Sequence, residues 1–307
     1  MKNILLIIQD EVYVRTNCYI HQLIATLEKQ HRLTFVCMND ISRAGNVEAV
    51  KHADSVVILL QQRKVDTNLR SIANMLGDTP VVTYCQDPWE NFRDDSRSKG
   101  SYIRCMNELN VARFVVTSRF WAQHMESAGI PTRFERIWML PEYCDVGKRY
   151  EYRTHQNSFV GSMHAYRRPL FEALVRQNAD VHVAPGTNDY ASFLNMLSNI
   201  GTFVYSADHS FTVDGKPMTM KSSLWAKDIE AMARGCFVVR EADDEYTSFI
   251  DGPMRSFVHF RSPEEAHVAL DRVASMDPEE RHLLSREASE YIRDSDCWRR
   301  TAGSLVL

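Results

Sequence analysis

One loop combines the residue types that bind an anion. Gly161-Ser162 follows a short apolar run, and Arg167-Arg168 precedes a helical pattern that begins at Pro169. Glycine lets a ligand approach the main chain, and the free N–H groups of a helix start attract negative charge. An arginine can donate paired hydrogen bonds to a diphosphate. Two arginines at a helix start oppose the helix dipole, so the loop is either an anion site or an ordinary surface pair.

An acidic side chain lies in a second informative stretch, Asp228–Val239. The pattern predicts a helix that Gly235 ends in the left-handed conformation, followed by a buried strand. Glu230 falls about one turn into this helix, on the side that can face a cleft. A glutamate exposed to solvent is the alternative interpretation.

A third candidate is the aspartate that follows the apolar run Pro80–Tyr84. In open α/β sheets, ligands bind beyond the carboxyl ends of the strands. At such an end Asp87 can position or deprotonate a hydroxyl group. The Asp87-Pro88 pair also favours a turn, so a role in capping that turn is the alternative.

Residue spacing excludes several other chemistries. The twelve glycines are at least 14 residues apart, so neither G-x-G-x-x-G nor a Walker P-loop is present. G-x-S-x-G and H-E-x-x-H are also missing, and the eleven histidines form no obvious ligand cluster. The seven cysteines include no C-x-x-C pair, which predicts free thiols in a reducing compartment and no zinc or other metal site. The net charge of −4 argues against a general duplex-DNA binder.

Short apolar runs alternate with helical patterns in both halves of the 307-residue chain. Continuous apolar runs separated by helices indicate parallel sheets covered on both faces. The pattern lapses around residues 141–157, where we place a linker. We therefore expect an α/β fold with two Rossmann-like domains that face each other across a cleft. The expected boundaries are 1–150, 151–284 and a C-terminal helix over 285–307 that crosses back to the first domain.

The sequence predicts no integral membrane segment. The first apolar run, Ile4–Ile8, is too short for a signal peptide and is expected to be a buried strand. Nothing approaches the ~20 consecutive apolar residues of a membrane helix. Together with the scattered cysteines, this predicts a cytoplasmic protein.

Two motifs resemble a known enzyme family. Glu230-Ala231-Met232-Ala233, followed by Gly235 and Val238-Val239, is similar to the donor-site signature of GT-B glycosyltransferases, particularly the retaining group with an E-x7-E motif. The order of strand, Gly161, short loop and Arg167-Arg168 resembles the start of the GT-B donor domain, especially in the spore-maturation-protein-like glycosyltransferases. The resemblance implies that Glu230 accepts hydrogen bonds from the nucleotide ribose. It also implies that the 161–168 loop, including Ser162, binds the diphosphate.

The resemblance assigns further residues and shows one departure. The first Glu of the family motif falls on Ser222, which leaves a donor-sugar contact without its acid. Lys216 and Lys221 lie near this point, and we expect Lys221 to neutralise the β-phosphate, because metal-free transfer needs such a cation. Gln86-Asp87 resembles the family's His-Asp at a strand end, so Asp87 is the candidate base beside the acceptor. Asp10, after the first strand, is a second candidate base.

The implied function is transfer of a sugar from a nucleotide-diphosphate donor to an acceptor, with retention of configuration and without a metal or other cofactor. The acceptor can be a glycan, a lipid-linked sugar, a protein or a modified nucleobase, and the chain can form a homodimer. One alternative is a non-catalytic GT-B-like partner subunit, which the missing motif acid favours. The other is a nucleotide-sugar epimerase on the same double fold.

Overall fold

The structure is a computed structural model, and it divides the chain into two compact units. It describes residues 1–10, 12, 14, 18–85, 87–186, 189–207, 209–219, 225–242 and 253–307, without the side chains of residues 18, 19 and 44. Unit 1 comprises Met1–Ile137, Phe211–Pro217 and Asp296–Leu307. Unit 2 comprises Trp138–Ser210 and Met218–Ser295. The first division therefore falls after Ile137 rather than at 150, and the chain returns to unit 1 twice.

Unit 1 is built on a parallel sheet of six strands. The strands are β1 (Asn3–Ile8), β2 (Arg32–Cys37), β3 (Ser55–Leu59), β4 (Val81–Cys85), β5 (Val111–Val116) and β6 (Thr132–Phe134). Their order across the sheet is β2-β1-β3-β4-β5-β6, and every neighbouring pair is parallel. The central strands β3 and β4 are buried along their whole length, as the continuous apolar runs predict.

Helices cover the sheet of unit 1 and complete its core. They are α1 (Cys18–Glu28), α2 (Ala44–Lys51), α3 (Gln62–Thr67), α4 (Leu69–Leu76), α5 (Ser101–Glu108) and α6 (Arg119–Ser127). The hydroxyl of Ser118 caps α6 by accepting from the N–H of Trp121 at 3.4 Å. Ile72, Tyr102 and Phe114 belong to one buried apolar cluster, which joins helices and strands in a single core.

Unit 2 carries a second parallel sheet and its own core. Its elements, with the hairpin that leaves it, are β7 (His155–Val160), α7 (Arg168–Arg176), β8 (His182–Ala184), α8 (Tyr190–Leu197), β9 (Ile200–Tyr205), β10 (Ser210–Val213), β11 (Lys216–Thr219), α9 (Ala226–Ala233), β12 (Phe237–Glu241), β13 (Phe257–Phe260), α10 (Ala266–Ala274) and α11 (Pro278–Arg293). The sheet order is β13-β12-β9-β7-β8, with all neighbours parallel. Val204, Phe237 and Leu270 lie in its core.

Strands β10 and β11 form a separate two-stranded sheet. The turn between them is Asp214-Gly215, with φ of 49° and 73°. Two successive positive φ values fit the type I′ turn of a tight hairpin, which favours Asp-Gly. Lys216 was expected beside a loop but lies in β11 instead. The Asp-Gly pair between β-rich residues is the signal that would have predicted this hairpin.

The C-terminal segment contains two helices rather than the single helix expected over 285–307. Helix α11 ends at Arg293, and α12 follows over Cys297–Leu305. Helix α12 belongs to unit 1, where Trp298 and Leu305 are buried. The N–H of Leu307 donates to the hydroxyl of Ser55 at 3.2 Å. The end of the chain is therefore part of the first sheet's covering layer.

The segment that connects β6 to β7 is held against unit 2 by Arg153. The buried guanidinium of Arg153 donates to the main-chain oxygens of Val146 and Ile200, both at 2.6 Å, and to that of Arg234 at 3.0 Å. Gly235 ends α9 with φ of 75°, and a Cβ there would lie 2.7 Å from the Arg153 guanidinium. Glycine is thus required at 235 both for the left-handed conformation and for this close approach.

None of the described helices combines the length and apolar character that a bilayer crossing requires.

Candidate functional site

The candidate anion site lies at the carboxyl edge of the unit 2 sheet. Strand β7 ends at Val160, and the predicted loop of Gly161 follows it directly. Helix α9 begins at Ala226 and carries Glu230. The two sequence motifs therefore meet at one place, where a lysine side chain of α9 reaches the end of β7.

That lysine is Lys227, which the sequence analysis did not single out. Its ammonium donates to the carbonyl of Val160 at 3.2 Å and lies 5.5 Å from the centre of the Phe159 ring. Lys227 and Glu230 are three residues apart on α9, so they share one helix face. The sequence contained a signal for this residue, because Lys227 is a cation one helical turn before Glu230.

Gly161 is required by its backbone and by its neighbour. Its φ is 142°, a conformation that residues with a side chain rarely adopt. A Cβ at this position would lie 2.7 Å from the ammonium nitrogen of Lys227. The N–H of Gly161 donates to the carbonyl of Ala184 at 3.1 Å, which ties the loop to the end of β8.

Arg167 and Arg168 have different environments. Arg167 is only 4% exposed, and it donates to the carbonyl of Ser162 at 2.5 Å. Its guanidinium also lies 5.0 Å from the Tyr166 ring centre and 5.1 Å from that of Phe159. Arg168 and the side chain of Ser162 are exposed. The loop therefore presents one buried and one open guanidinium.

No carboxylate of the described residues pairs with Arg167. Desolvation lowers the pKa of Arg167, although a guanidinium stays protonated at neutral pH. Within the part of the chain that the structure describes, its buried Nε has no hydrogen-bond partner. The pKa of His164 is lowered as well, first by desolvation and then by the charges of Arg167 and Lys227. A cluster of cations with a buried, unsatisfied donor is chemically suited to an anionic ligand.

Glu230 lies in the second turn of α9 and is 3% exposed. Its neighbour Asp228 is completely buried and accepts three hydrogen bonds. The donors are the hydroxyl of Tyr205 at 2.5 Å, the N–H of Trp225 at 2.8 Å and the guanidinium of Arg240 at 3.0 Å. Burial raises the pKa of Asp228, and the charge of Arg240 opposes that shift. This network fixes the first turn of α9, which carries Lys227.

The strand end beside this network is buried. Arg240 and Glu241 end β12 and both are buried. Glu241 accepts from the hydroxyl of Ser206 on the neighbouring strand end. Both charged side chains therefore have partners inside unit 2.

The two acids of unit 1 follow strands of the same parallel sheet. Asp10 comes after β1 and Asp87 after β4, with β3 between these strands. Two strand spacings separate them by roughly 10 Å at the level of the sheet. Asp87 precedes a short 3-10 helix, Pro88–Asn91, and its side chain makes no capping bond to it.

The environment of Asp87 raises its pKa to about 6. Desolvation by the surrounding protein is the main cause, and the charge of Glu90 adds to it. The indole N–H of Trp89 donates to the carboxylate and opposes the shift. The side chain of Asp87 is nevertheless exposed, so contact with water moderates the size of the shift. Its direction is upward, toward the value that suits a base at neutral pH.

The remaining predicted site residues are Lys216, Lys221 and Ser222. Lys216 lies in β11 near the hairpin tip and is counted in unit 1, whereas Gly161, Arg167 and Glu230 belong to unit 2. Lys221 and Ser222 lie outside the described residues. Among the residues that are described, no group of three or more His, Cys, Asp or Glu side chains is arranged to hold a metal ion.

Solved glycosyltransferase structures resemble the whole chain. An α-glucosyltransferase in complex with UDP-glucose and DNA containing an abasic site covers 100% of both chains at 11% identity and a TM-score of 0.62. HepE of Anabaena with UDP and glucose matches 99% of this chain and 98% of its own at 9% identity and 0.62. Sucrose-phosphate synthase from Thermosynechococcus elongatus matches 99% and 97% at 11% identity and 0.62. The chain has the GT-B fold.

The GT-B fold confirms the α/β class expected from the sequence. No family model and no curated protein matches the sequence. At 9–11% identity the likeness establishes the GT-B fold alone. The function has to be argued from the residues at the site.

Proposed function

We propose that the chain is a glycosyltransferase that uses a nucleotide-diphosphate sugar as donor. The observation that carries the proposal is that Lys227, Arg167 and Gly161 come together at the end of β7. Lys227 also lies on the same face of α9 as Glu230. Residues three apart on a helix have Cβ atoms about 5–6 Å apart, which suits the distance from a ribose to its diphosphate. Structural neighbours that contain UDP or UDP-glucose support this class of ligand.

The proposal assigns a role to each group. Glu230 accepts hydrogen bonds from the ribose hydroxyls. The diphosphate lies against the main chain at Gly161, where no side chain blocks it, and is bound by Ser162, Arg167, Arg168 and Lys227. Lys227 and Lys221 are the cations available to stabilise the leaving phosphate, which allows transfer without a metal. Lys216, which lies in β11, is a further candidate for the donor site.

Asp87 is the proposed base for the acceptor hydroxyl, and Asp10 is the second candidate. A carboxylate whose pKa is near 6 is mostly ionised at pH 7 and still basic enough to take a developing proton. We propose retention of anomeric configuration, on the resemblance of the Glu230 motif to the retaining group. The anomeric proton coupling of the product tests this point by NMR.

The acceptor is proposed to be a hydroxyl compound on a glycan, a lipid-linked sugar, a protein or a modified nucleobase. DNA with an HMU base is present in a structural neighbour of this chain, at 10% identity and a TM-score of 0.64. That observation places hydroxymethylated DNA first in the acceptor panel. The described cysteines are all free, which fits the proposed reducing cytoplasm.

Nucleotide binding is the direct test of the donor site. We expect UDP, GDP, CDP or dTDP to raise the melting temperature, and titration calorimetry to give the affinity. Glu230→Ala should weaken nucleoside diphosphate binding about 10- to 100-fold, because a hydrogen bond to a charged group contributes ~1.5–3 kcal/mol. Lys227→Met should weaken binding of the diphosphate more than binding of the nucleoside alone.

Matched controls keep these results specific. Glu280→Gln and Lys148→Met change exposed residues of unit 2 and should leave nucleotide affinity unchanged. Normal nucleotide affinity in Glu230→Ala would contradict the donor-site assignment. Binding without sugar transfer or donor hydrolysis would favour the non-catalytic partner subunit, and an isomerised donor without an acceptor would favour an epimerase.

A further inference from the structure

The hairpin of β10 and β11 is an unexplained feature of the chain. It interrupts the connection between β9 and α9, yet its residues Phe211–Pro217 belong to unit 1. Its tip is bonded to Asp94 and to Lys99, whose ammonium also donates to the carboxylate of Asp214 at 3.2 Å. Asp94 accepts from the N–H groups of Asp214 and Gly215, both at 3.0 Å, and from the ammonium of Lys99 at 2.6 Å. These bonds hold the pKa of Asp94 well below its usual range.

The base of the hairpin packs on aromatic side chains. Phe211 is 8% exposed, and its ring centre lies 5.7 Å from that of Trp89 and 6.1 Å from that of Trp121. The Arg93 guanidinium lies 5.3 Å from the Trp89 ring centre and 6.0 Å from that of Phe211. Trp89 is therefore in contact with a hairpin ring and a cation together.

Trp89 in turn contacts the proposed base. Its indole N–H donates to the carboxylate of Asp87, two residues earlier in the chain. The other titratable groups that interact with Asp87 are Glu90, Cys85 and Tyr102. Of the described groups named here, Trp89 is the one whose ring contacts Phe211 directly. The contacts form a series from Phe211 through Trp89 to Asp87.

We propose that the hairpin is a positioning element for Asp87, in which Phe211 holds the Trp89 indole in place to orient the Asp87 carboxylate. This inference rests on the proposed function, because it gives the hairpin a role in acceptor activation. Phe211 is a positioning residue and touches no reacting atom. A purely structural Phe211 would contribute to stability without affecting the hydrogen bond of the Trp89 indole.

The test follows the indole N–H signal of Trp89 by NMR in the full-length, isotope-labelled protein. The signal is assigned by its loss in Trp89→Phe. In the wild type it should shift with pH around a midpoint of about 6, and Asp87→Asn should abolish that movement. Phe211→Ala should lose most of the movement and exchange its indole hydrogen faster. Phe120→Ala is the matched control, since Phe120 contacts Trp121 and should leave the Trp89 signal unchanged.

The proposal would be overturned if the Trp89 signal of a folded Phe211→Ala variant shifted with pH as much as in the wild type. It would also be overturned if the signal shifted with pH equally in Asp87→Asn and in the wild type. If Phe211→Ala does not fold, Asp94→Ala decides, because it releases the hairpin tip and keeps both rings. A smaller movement in Asp94→Ala supports the proposal, and an unchanged one overturns it. The NMR signal needs no substrate, so its failure is distinct from a failure to bind nucleotide or transfer sugar.

Discussion

The carboxyl of Asp87 shows how a single residue can be shifted toward a chemical role. Desolvation and Glu90 raise its pKa to about 6, while Trp89 partly opposes them. A carboxyl whose pKa is higher in the folded than in the unfolded state favours folding less once it ionises. Stability should therefore fall as pH rises from about 4 to about 6, and remain reduced above that range.

We predict that Asp87→Asn raises the melting temperature at pH 7.5, about 1.5 units above the raised pKa, because the amide carries no charge to desolvate. The difference from the wild type should shrink as pH is lowered toward 4, about the unfolded-state pKa, where both proteins are neutral at this position. Calorimetry across this pH range measures the effect. Asp180→Asn, at an exposed position, should show no such pattern. An equal or lower melting temperature for Asp87→Asn at pH 7.5 would be inconsistent with the raised pKa.

At the scale of the element, helix α9 combines a proposed ligand face with a buried anchor. Asp228 and Arg240 form an ion pair in which both side chains are 0% exposed. Tyr205 bonds to both partners, so strand β9 is joined to the pair as well. A buried pair of this kind is weak evidence for stability, yet each partner depends strongly on the other.

We predict that Asp228→Leu and Arg240→Met each lower the free energy of unfolding by about 3–5 kcal/mol, because each leaves the other charge buried and uncompensated. The double variant should cost clearly less than the sum of the two, since it removes both charges together. Urea denaturation of the four proteins gives the coupling energy. Additive effects would show that the two residues act independently.

At the scale of the whole molecule, the chain order and the packing order differ. Two segments that follow the first unit in sequence return to it, Phe211–Pro217 and Asp296–Leu307. Helix α12 packs against α1 and β4. Ser304 donates to the carboxylate of Glu135, which lies near the end of the first segment of unit 1. The last residues of the chain therefore complete the packing of unit 1.

We predict that a chain ending at Ser295 loses the stability of unit 1 first, because buried side chains such as Trp298 and Leu305 are removed from its covering layer. Limited proteolysis should then cut within residues 1–137 before it cuts unit 2. The point variant Leu305→Ala should reproduce the effect in part, at a cost of about 2–5 kcal/mol. Arg299→Ala, whose side chain is 71% exposed, is the control and should resemble the wild type. Equal protease resistance of the truncated and complete chains would refute the dependence.

The sequence by itself determined the class of the fold and the buried strands of both sheets, but not the β10–β11 hairpin or the two C-terminal helices. Continuous apolar runs such as Val81–Cys85 can only be buried on both faces, and helices between them imply parallel strands. Local signals also located Gly161, Arg167, Glu230 and Asp87. These features depend on residues that are close together in the chain, so local sequence patterns predict them.

Only the tertiary structure decided which charges meet. Lys227 reaches the end of β7 across 67 residues, and the hairpin reaches Asp94 from 120 residues away. Arg240 of β12 pairs with Asp228 of α9 in the interior of unit 2. The physical reason is that burial and hydrogen bonding of polar side chains depend on strand order and helix docking. Those arrangements bring together residues that are far apart in the sequence, so local sequence patterns do not predict their contacts.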